Sequence, residues 1–174
     1  MLGFRVVKRK RSSHCSYCGA AWPEGAPWPR TCAGCGETSY LNPLPVAVVL
    51  VPMDGGLLAV RRGIEPSKGM LALPGGYINL GETWQAAGAR EVLEETGVFI
   101  DPAGIEDFWT RSAPDGTLIV FGLARKMDAG AIHAFLPSAE ATKIAILRGP
   151  EELAFSLHTD AVREFFARTR ADAP

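Results

Sequence analysis

Arg90-Glu91-Val92-Leu93-Glu94-Glu95 places three carboxylates and a guanidinium within six positions. At roughly 100° per residue, a helix would gather Glu91, Glu94 and Glu95 into one arc of about 100°. Like charges about 5 Å apart repel by about 0.8 kcal/mol per pair in water and by about 3 kcal/mol at the effective dielectric of a protein. A helix gains nothing from that arrangement, so the cluster is either a solvated acidic face or a cradle whose repulsion divalent cations remove. Carboxylate oxygens suit Mg²⁺ or Mn²⁺, which keep several waters and share their remaining positions with phosphate oxygens. Such ions would screen a diphosphate, activate water and stabilise a departing phosphate. Upstream, Gly75-Gly76 would let backbone approach closely and offer a carbonyl as one more oxygen donor.

A second constellation uses every cysteine in the chain: Cys15-x-x-Cys18 and Cys32-x-x-Cys35, with thirteen residues between the pairs. Paired knuckles of this spacing converge four thiolates on a tetrahedral Zn²⁺, and Gly19 and Gly36 fit the tight turn after each pair. Two disulfides are the alternative. Because no apolar segment with a small-residue cleavage site follows the N-terminus, a secretory signal is not expected and a reducing cytoplasm is, which favours zinc. Four protein ligands leave no open position, so this metal would be structural. His14 is then a neighbour and not a ligand.

The elements that must position these groups can be read from pattern and punctuation. At 174 residues the chain has room for one domain with a real core plus a small satellite. The longest apolar run, residues 46–51, is far short of the roughly 20 residues a membrane span requires. A net charge of −1 argues against a protein that coats nucleic acid. Arg5, Lys8, Arg9, Lys10 and Arg11 form a basic start, read as a solvated tail.

Residues 1–40 show neither helical nor strand periodicity and form the first module; residues 41–174 form the second. In the latter, residues 46–51 predict a strand buried on both faces, forming a hairpin with residues 57–62 across Asp54-Gly55-Gly56. Residues 71–73 are a short apolar segment that Pro74-Gly75-Gly76 ends in a turn. A helix is expected over residues 83–96, with Glu82 complementing its positive end and Gly97 at the left-handed C′ position. Pro114-Asp115-Gly116 predicts a second hairpin between residues 105–111 and 117–124, followed by a strand at 143–147. A last helix over residues 159–168, capped by Thr159 or Asp160, would bury Val162, Phe165 and Phe166.

Around the glutamates, Gly76, Glu82, Arg90, Glu91, Val92, Glu94, Glu95, Gly97 and Val98 fit the pattern G-x5-E-x7-R-E-U-x-E-E-x-G-U, with U apolar. A chance match at one start position is on the order of one in a billion. On these residues the chain resembles the Nudix hydrolases, and from Cys15 to about Phe166 it is more loosely similar to the members that carry a zinc ribbon. The resemblance implies an α/β/α sandwich, its mixed sheet between the glutamate helix and the C-terminal helix, preceded by the small ribbon. It implies Mg²⁺- or Mn²⁺-dependent hydrolysis of the diphosphate bond in a nucleoside-diphosphate-linked compound: ADP-ribose first, then NAD(H) or FAD, then a damaged nucleoside triphosphate.

The metal ligands implied are Glu91, Glu94, Glu95 and the Gly75 carbonyl, with Arg90 orienting Glu82 or Glu91. The general base is either a glutamate of the helix or Glu140 in the later loop; relatives often carry another glutamate three positions on, where this chain has Lys143. Arg61 and Arg62 are candidates for phosphate, and Trp109 for stacking a nucleobase. NADH pyrophosphatases carry the ribbon in the same order, but their Ser-Gln-Pro-Trp-type stretch is absent here. The chain reads Asp107-Phe108-Trp109-Thr110-Arg111-Ser112-Ala113-Pro114, so a preference for NADH is not expected. The same resemblance suggests a homodimer. The rival reading is a nucleotide-sensing or nucleic-acid-binding module that uses the ribbon, but a sensor that had lost catalysis would be expected to lose carboxylates from this pattern, and none is missing.

Overall fold

The computed structural model describes residues 12–132 and 135–171, which divide into two compact units between Pro43 and Leu44. The basic start lies outside the described residues. The smaller unit consists of turns around one short antiparallel ribbon, β1 (Arg30–Thr31) against β2 (Thr38–Ser39). No helix among the described residues is long and apolar enough to cross a membrane.

The larger unit contains, in chain order, β3 (Leu44–Leu50), β4 (Pro52–Met53), β5 (Gly56–Arg62), β6 (Leu71–Ala72), β7 (Gly75–Tyr77), helix α1 (Trp84–Thr96), β8 (Glu106–Ser112), β9 (Thr117–Leu123), β10 (Ala141–Leu147) and helix α2 (Ser156–Ala171). One mixed sheet runs β7-β3-β9-β8, with β3 parallel to β9 and antiparallel to β7. A second, antiparallel sheet is built on β5, flanked by β10 on one side and by β4 and β6.

The apolar run behaves as a doubly buried strand. Side chains alternate along β3: Val48 and Leu50 join a core with Phe121 and with Ala161, Val162 and Phe166 of α2, whereas Val49 and Val51 join a core with Ala89 and Val92 of α1. Each helix therefore covers a different face, giving the expected α/β/α layering. Fully burying a Val or Leu side chain stabilises by about 1.5–3 kcal/mol, and residues 47–51 are all at most 1% exposed.

Two local expectations are corrected. Asp54 and Gly55 form the hairpin turn, with φ of 46° and 74°, the positive values a two-residue turn requires. Its first arm is β4 and not residues 46–51, because both edges of β3 are already paired, to β7 and β9. The chain passes between sheets at Val51, whose carbonyl still accepts the Leu58 N–H at 3.0 Å. Helix α2 starts at Ser156, ahead of the anticipated cap. Thr159 is buried inside it, its hydroxyl accepting the Leu153 N–H at 2.9 Å and donating to the Phe155 carbonyl at 3.3 Å.

Helix α1 is closed at both ends: Thr83 accepts the Ala86 N–H at 3.1 Å, and Gly97, at φ 71°, donates to the Leu93 carbonyl at 2.9 Å. Its sheet-facing residues are small, and a Cβ on Gly88 would lie 2.7 Å from Val49 Cγ2. Helix α2 is tied down by His158, whose Nδ1 accepts the Leu73 N–H at 3.2 Å while its ring packs between Phe121 and Phe155. Burial holds His158 far below the usual imidazole range, at about 3, and the nearby Arg62 charge acts in the same direction.

In a solvated helix, Gly88→Ala would stabilise by roughly 1 kcal/mol. Here the added methyl would meet the fully buried Val49, so we expect a net loss of about 1–2 kcal/mol in urea unfolding, as overpacking predicts. A second expectation concerns pH. An unfolded imidazole gains its proton near 6.5, whereas folded His158 stays neutral to about 3. Between those values the unfolded chain binds more protons, so stability falls as pH is lowered, by up to about 1.4 kcal/mol per pH unit. His158→Asn keeps an acceptor for Leu73 without titrating. Its stability should drop less than the native protein's between pH 7 and pH 5, and equal drops would show that His158 is not held neutral.

Candidate active site

Strand β7 brings the two glycines against β3, opposite Val48 and Ala47. The segment expected to be a turn is thus an edge strand, and each glycine is needed for a different close approach. A Cβ on Gly75 would come within 2.7 Å of Val48 Cα, and one on Gly76 would fall 2.5 Å from Cδ of Glu91. The sheet and the glutamate helix can meet at this distance only where side chains are missing.

Arg90 organises the carboxylates around that contact. Its Nε and Nη2 donate to the two oxygens of Glu82 at 2.8 and 3.1 Å, and Nη2 also reaches the Tyr77 carbonyl at 3.0 Å. Nη1 donates to Glu91 at 2.7 Å and to Glu94 at 3.3 Å. Glu82 accepts the Asn79 N–H as well, at 2.9 Å. Its carboxylate is therefore spent on Arg90 and a turn, and not on the helix end as the sequence suggested. Glu95 takes a separate partner, the Gly75 N–H at 3.0 Å.

The electrostatics follow from these contacts. Arg90 holds the Glu82 carboxyl down to about 2, and the glutamates in turn raise Arg90 further above its ordinary range. Burial raises Glu91 despite Arg90, and burial pushes Glu95 up to about 7, with Glu91 and Glu140 adding to the rise. The side chain of Glu91 is 13% exposed and that of Glu94 57%, so the cluster grades from sheltered to open. Carboxylate oxygens on one helix face are the donor chemistry that a hard divalent cation takes, and here Arg90 spreads three carboxylates around itself: among the described residues only the four cysteines draw their ligand atoms within 4.8 Å of one another. Glu140 is exposed on the loop before β10 and lies within electrostatic reach of both Glu91 and Glu95. Lys143 lies opposite Arg61 in the β5–β10 register.

A cavity of about 630 Å³ opens beside this cluster, with Gly75, Gly76 and Glu95 in its wall together with Arg62, Tyr77 and Phe155. Arg62 donates from Nε to the Pro66 carbonyl at 2.9 Å and lies over the Phe155 ring at 4.8 Å. Arg61 and Trp109 do not line the cavity. Arg61, which points to the other face of β5, donates to the Gly69 carbonyl. Trp109 packs against Phe108 and Phe121 at centroid distances of 6.0 and 6.4 Å, with Arg111 4.0 Å over it, at the margin of the α2-side core. Tyr77, Phe155 and His158 were not singled out from the sequence, where nothing in their spacing links them to the glutamates.

In the smaller unit the four Sγ atoms lie within 4.8 Å of one another, with Cys15–Cys35 at 3.8 Å and Cys18–Cys32 at 3.6 Å. Four thiolates around one zinc at about 2.3 Å would be about 3.8 Å apart, whereas a disulfide would need about 2.05 Å. The knuckles repeat each other: Gly19, at φ 75°, donates to the Cys15 carbonyl at 3.0 Å, and Gly36, at φ 78°, to the Cys32 carbonyl at 2.8 Å. The Cys18 N–H lowers Cys15 to about 6 and the Cys35 N–H lowers Cys32, whereas Cys35, despite the Glu37 N–H, is pushed up to about 12 by burial and the neighbouring thiols. The donor set fits a tetrahedral thiophilic ion.

The NUDIX domain model matches residues 41–167. Over 98 residues the chain is 33% identical to the NAD-capped RNA hydrolase NudC of Shigella flexneri, covering 55% of this chain and 38% of that protein. Over 59 residues it is 41% identical to an ADP-ribose pyrophosphatase of Methanocaldococcus jannaschii, covering 34% and 35%. The chain thus spans little more than a third of the length of these two curated relatives. A crystal structure of a NUDIX hydrolase from Nitrosomonas europaea matches with a TM-score of 0.75 at 25% identity, covering 93% of this chain and 94% of that one. With the family pattern matched over most of its length and the patterned glutamates gathered on one helix against the paired glycines, the chain belongs to the NUDIX domain family.

Proposed function

We propose that this protein hydrolyses the diphosphate bond of a nucleoside-diphosphate-linked compound and releases two phosphorylated products. The observation that carries the reading is the glutamate helix set against the paired glycines: Glu95 accepts the Gly75 N–H at the wall of a ligand-sized cavity, Glu91 lies against Gly76, and Arg90 ties Glu94 to Glu91. The names of the two curated relatives refer to NAD and ADP-ribose, which share an adenosine diphosphate. We place ADP-ribose first among substrates, then NAD(H) or FAD.

Glu91, Glu94, Glu95 and the Gly75 carbonyl would hold Mg²⁺ or Mn²⁺, and an ion there supplies charge screening of phosphoryl oxygens and activation of water. The chain's own groups then do the positioning. Arg90 fixes Glu91 and Glu94 and is itself fixed by Glu82. The Gly75 N–H turns Glu95 toward the cavity wall. Arg62, beside Phe155, offers a positive edge to the substrate. A helix glutamate or Glu140 accepts the proton of the attacking water. In the smaller unit Cys15, Cys18, Cys32 and Cys35 would hold a structural Zn²⁺, in keeping with a reducing cytoplasm.

Phosphate-coupled turnover, with added phosphatase, tests the reading across ADP-ribose, NADH, NAD, FAD and nucleoside triphosphates. Turnover of at least one compound is expected with Mg²⁺ or Mn²⁺ and none with chelator. Glu94→Gln should remain folded and lose at least about a hundredfold in kcat, as loss of a charge-stabilising group does; unchanged turnover would refute the metal assignment. Glu140→Gln separates the two bases, because near-native turnover assigns the role to the helix. Silence across the whole panel from folded, zinc-loaded protein would favour a nucleotide-sensing module instead.

Zinc is checked independently. Elemental analysis should find about one equivalent per chain, as four-thiolate sites bind, and Cys18→Ser should lose it while the glutamate helix and its metal dependence persist. Zinc-free native protein would point back to the thiols alone.

A further inference from the structure

Of the polar side chains that line the cavity beside the glutamates, His158 is a buried one that the chemistry above does not use. His158 lies in the first turn of α2, lines the cavity and is 6% exposed. Because its Nδ1 accepts the Leu73 N–H, that nitrogen carries no hydrogen, and the neutral ring must bear its proton on Nε2. Burial keeps the ring neutral across the physiological range. Among the described residues Nε2 has no acceptor, yet it is not sealed within apolar packing. The ring is oriented by its bond from Leu73 and by packing edge-on to Phe121 at 5.7 Å and against Phe155 at 5.0 Å.

Nε2 is therefore a fixed donor open to the cavity, able to take an acceptor that a ligand brings. The surroundings say what kind of ligand. Val48, Leu73 and Ile119 make this part of the wall apolar, and Phe155 offers a ring face under Arg62. A neutral N–H donor beside an apolar wall suits the edge acceptor of a flat heterocycle, and the nearby Arg62 cation is left for the phosphates.

We infer that His158 is a specificity-determining residue that donates from Nε2 to an acceptor atom on the nucleobase of the substrate. This rests on the nucleotide reading proposed above. Asn at this position keeps the acceptor for Leu73 but lacks the reach of Nε2, whereas Gln places an amide N–H near the Nε2 position.

The test is calorimetric titration of the metal-supplied full chain with AMP and with ribose 5-phosphate, which lacks the base. In His158→Asn the AMP affinity should fall about three- to tenfold, the worth of one such hydrogen bond, while ribose 5-phosphate binding holds. His158→Gln should recover part of the loss. In turnover the Asn variant should raise KM and leave kcat near native, and in ¹⁵N-labelled native protein the Nε2–H resonance should shift with AMP but not with ribose 5-phosphate. Unchanged AMP affinity in His158→Asn, or an equal loss for both ligands, overturns the inference and leaves the hydrolase reading standing. A native protein that binds no nucleotide overturns both.

Discussion

Carboxylates crowded into a partly buried site repel one another and lose hydration, and most of the larger unit is arranged to hold them there regardless. Glu91 and Glu95 are both pushed above the ordinary carboxylate range by burial. A solvated acidic face would not show this. What keeps the groups in place is packing supplied from elsewhere: the buried face of α1, from Ala87 to Thr96, is pressed onto β3, with Ala89 and Val92 in a core that includes Val49, Val51 and Leu58. The apolar burial behind the helix offsets the electrostatic cost in front of it.

The close approach then dictates residue types on both partners. Glycine at 88 lets α1 meet Val49, glycine at 75 lets β7 meet Val48, and glycine at 76 leaves space for the Glu91 carboxylate. These positions are therefore not separate turn signals. They are three adjoining close approaches, helix to β3, β7 to β3 and β7 to the Glu91 carboxylate, which together set where the glutamate oxygens lie. The Leu73 N–H extends the same arrangement to the other face, since its bond to His158 ties the start of α2 to the segment that leads into Gly75.

Much of this was legible in the residue pattern, for identifiable reasons. The glutamate helix was marked by a run of helix formers without proline and by Gly97 after it, both local features, and it lies within one residue of the expected span. Residues 46–51 declared their double burial by composition alone. The partners of that strand were not legible, because pairing depends on β9 and β7, distant in sequence, and a strong turn at Asp54-Gly55 made the nearer arm attractive. Arg61 and Arg62 look equivalent in sequence, yet strand alternation sends one toward Gly69 and the other to the cavity. Trp109 had the right chemistry for a base but sits on an edge strand whose inward face the core had already claimed. His158, buried within α2, carried no signal, because its meaning depends on Leu73 and Phe121 being brought to it.

The distribution of positive charge makes a further point about why a mobile cation suits this site better than another lysine or arginine. Arg90 is committed on one side, to Glu82, Glu91, Glu94 and the Tyr77 carbonyl, and those five bonds use all five of its N–H donors, leaving none for substrate. Glu95 is left with a backbone N–H and the more distant influence of Arg62. The site therefore carries more carboxylate than the protein itself neutralises. A permanent side-chain charge that closed the deficit would bind a diphosphate and its products alike. An ion held by Glu91, Glu94 and Glu95 can share its coordination with phosphoryl oxygens as charge develops on them, so that the same attraction serves the transition state more than the ground state. On the proposed function, the excess of carboxylate is what allows the protein to bind an anion through acidic side chains.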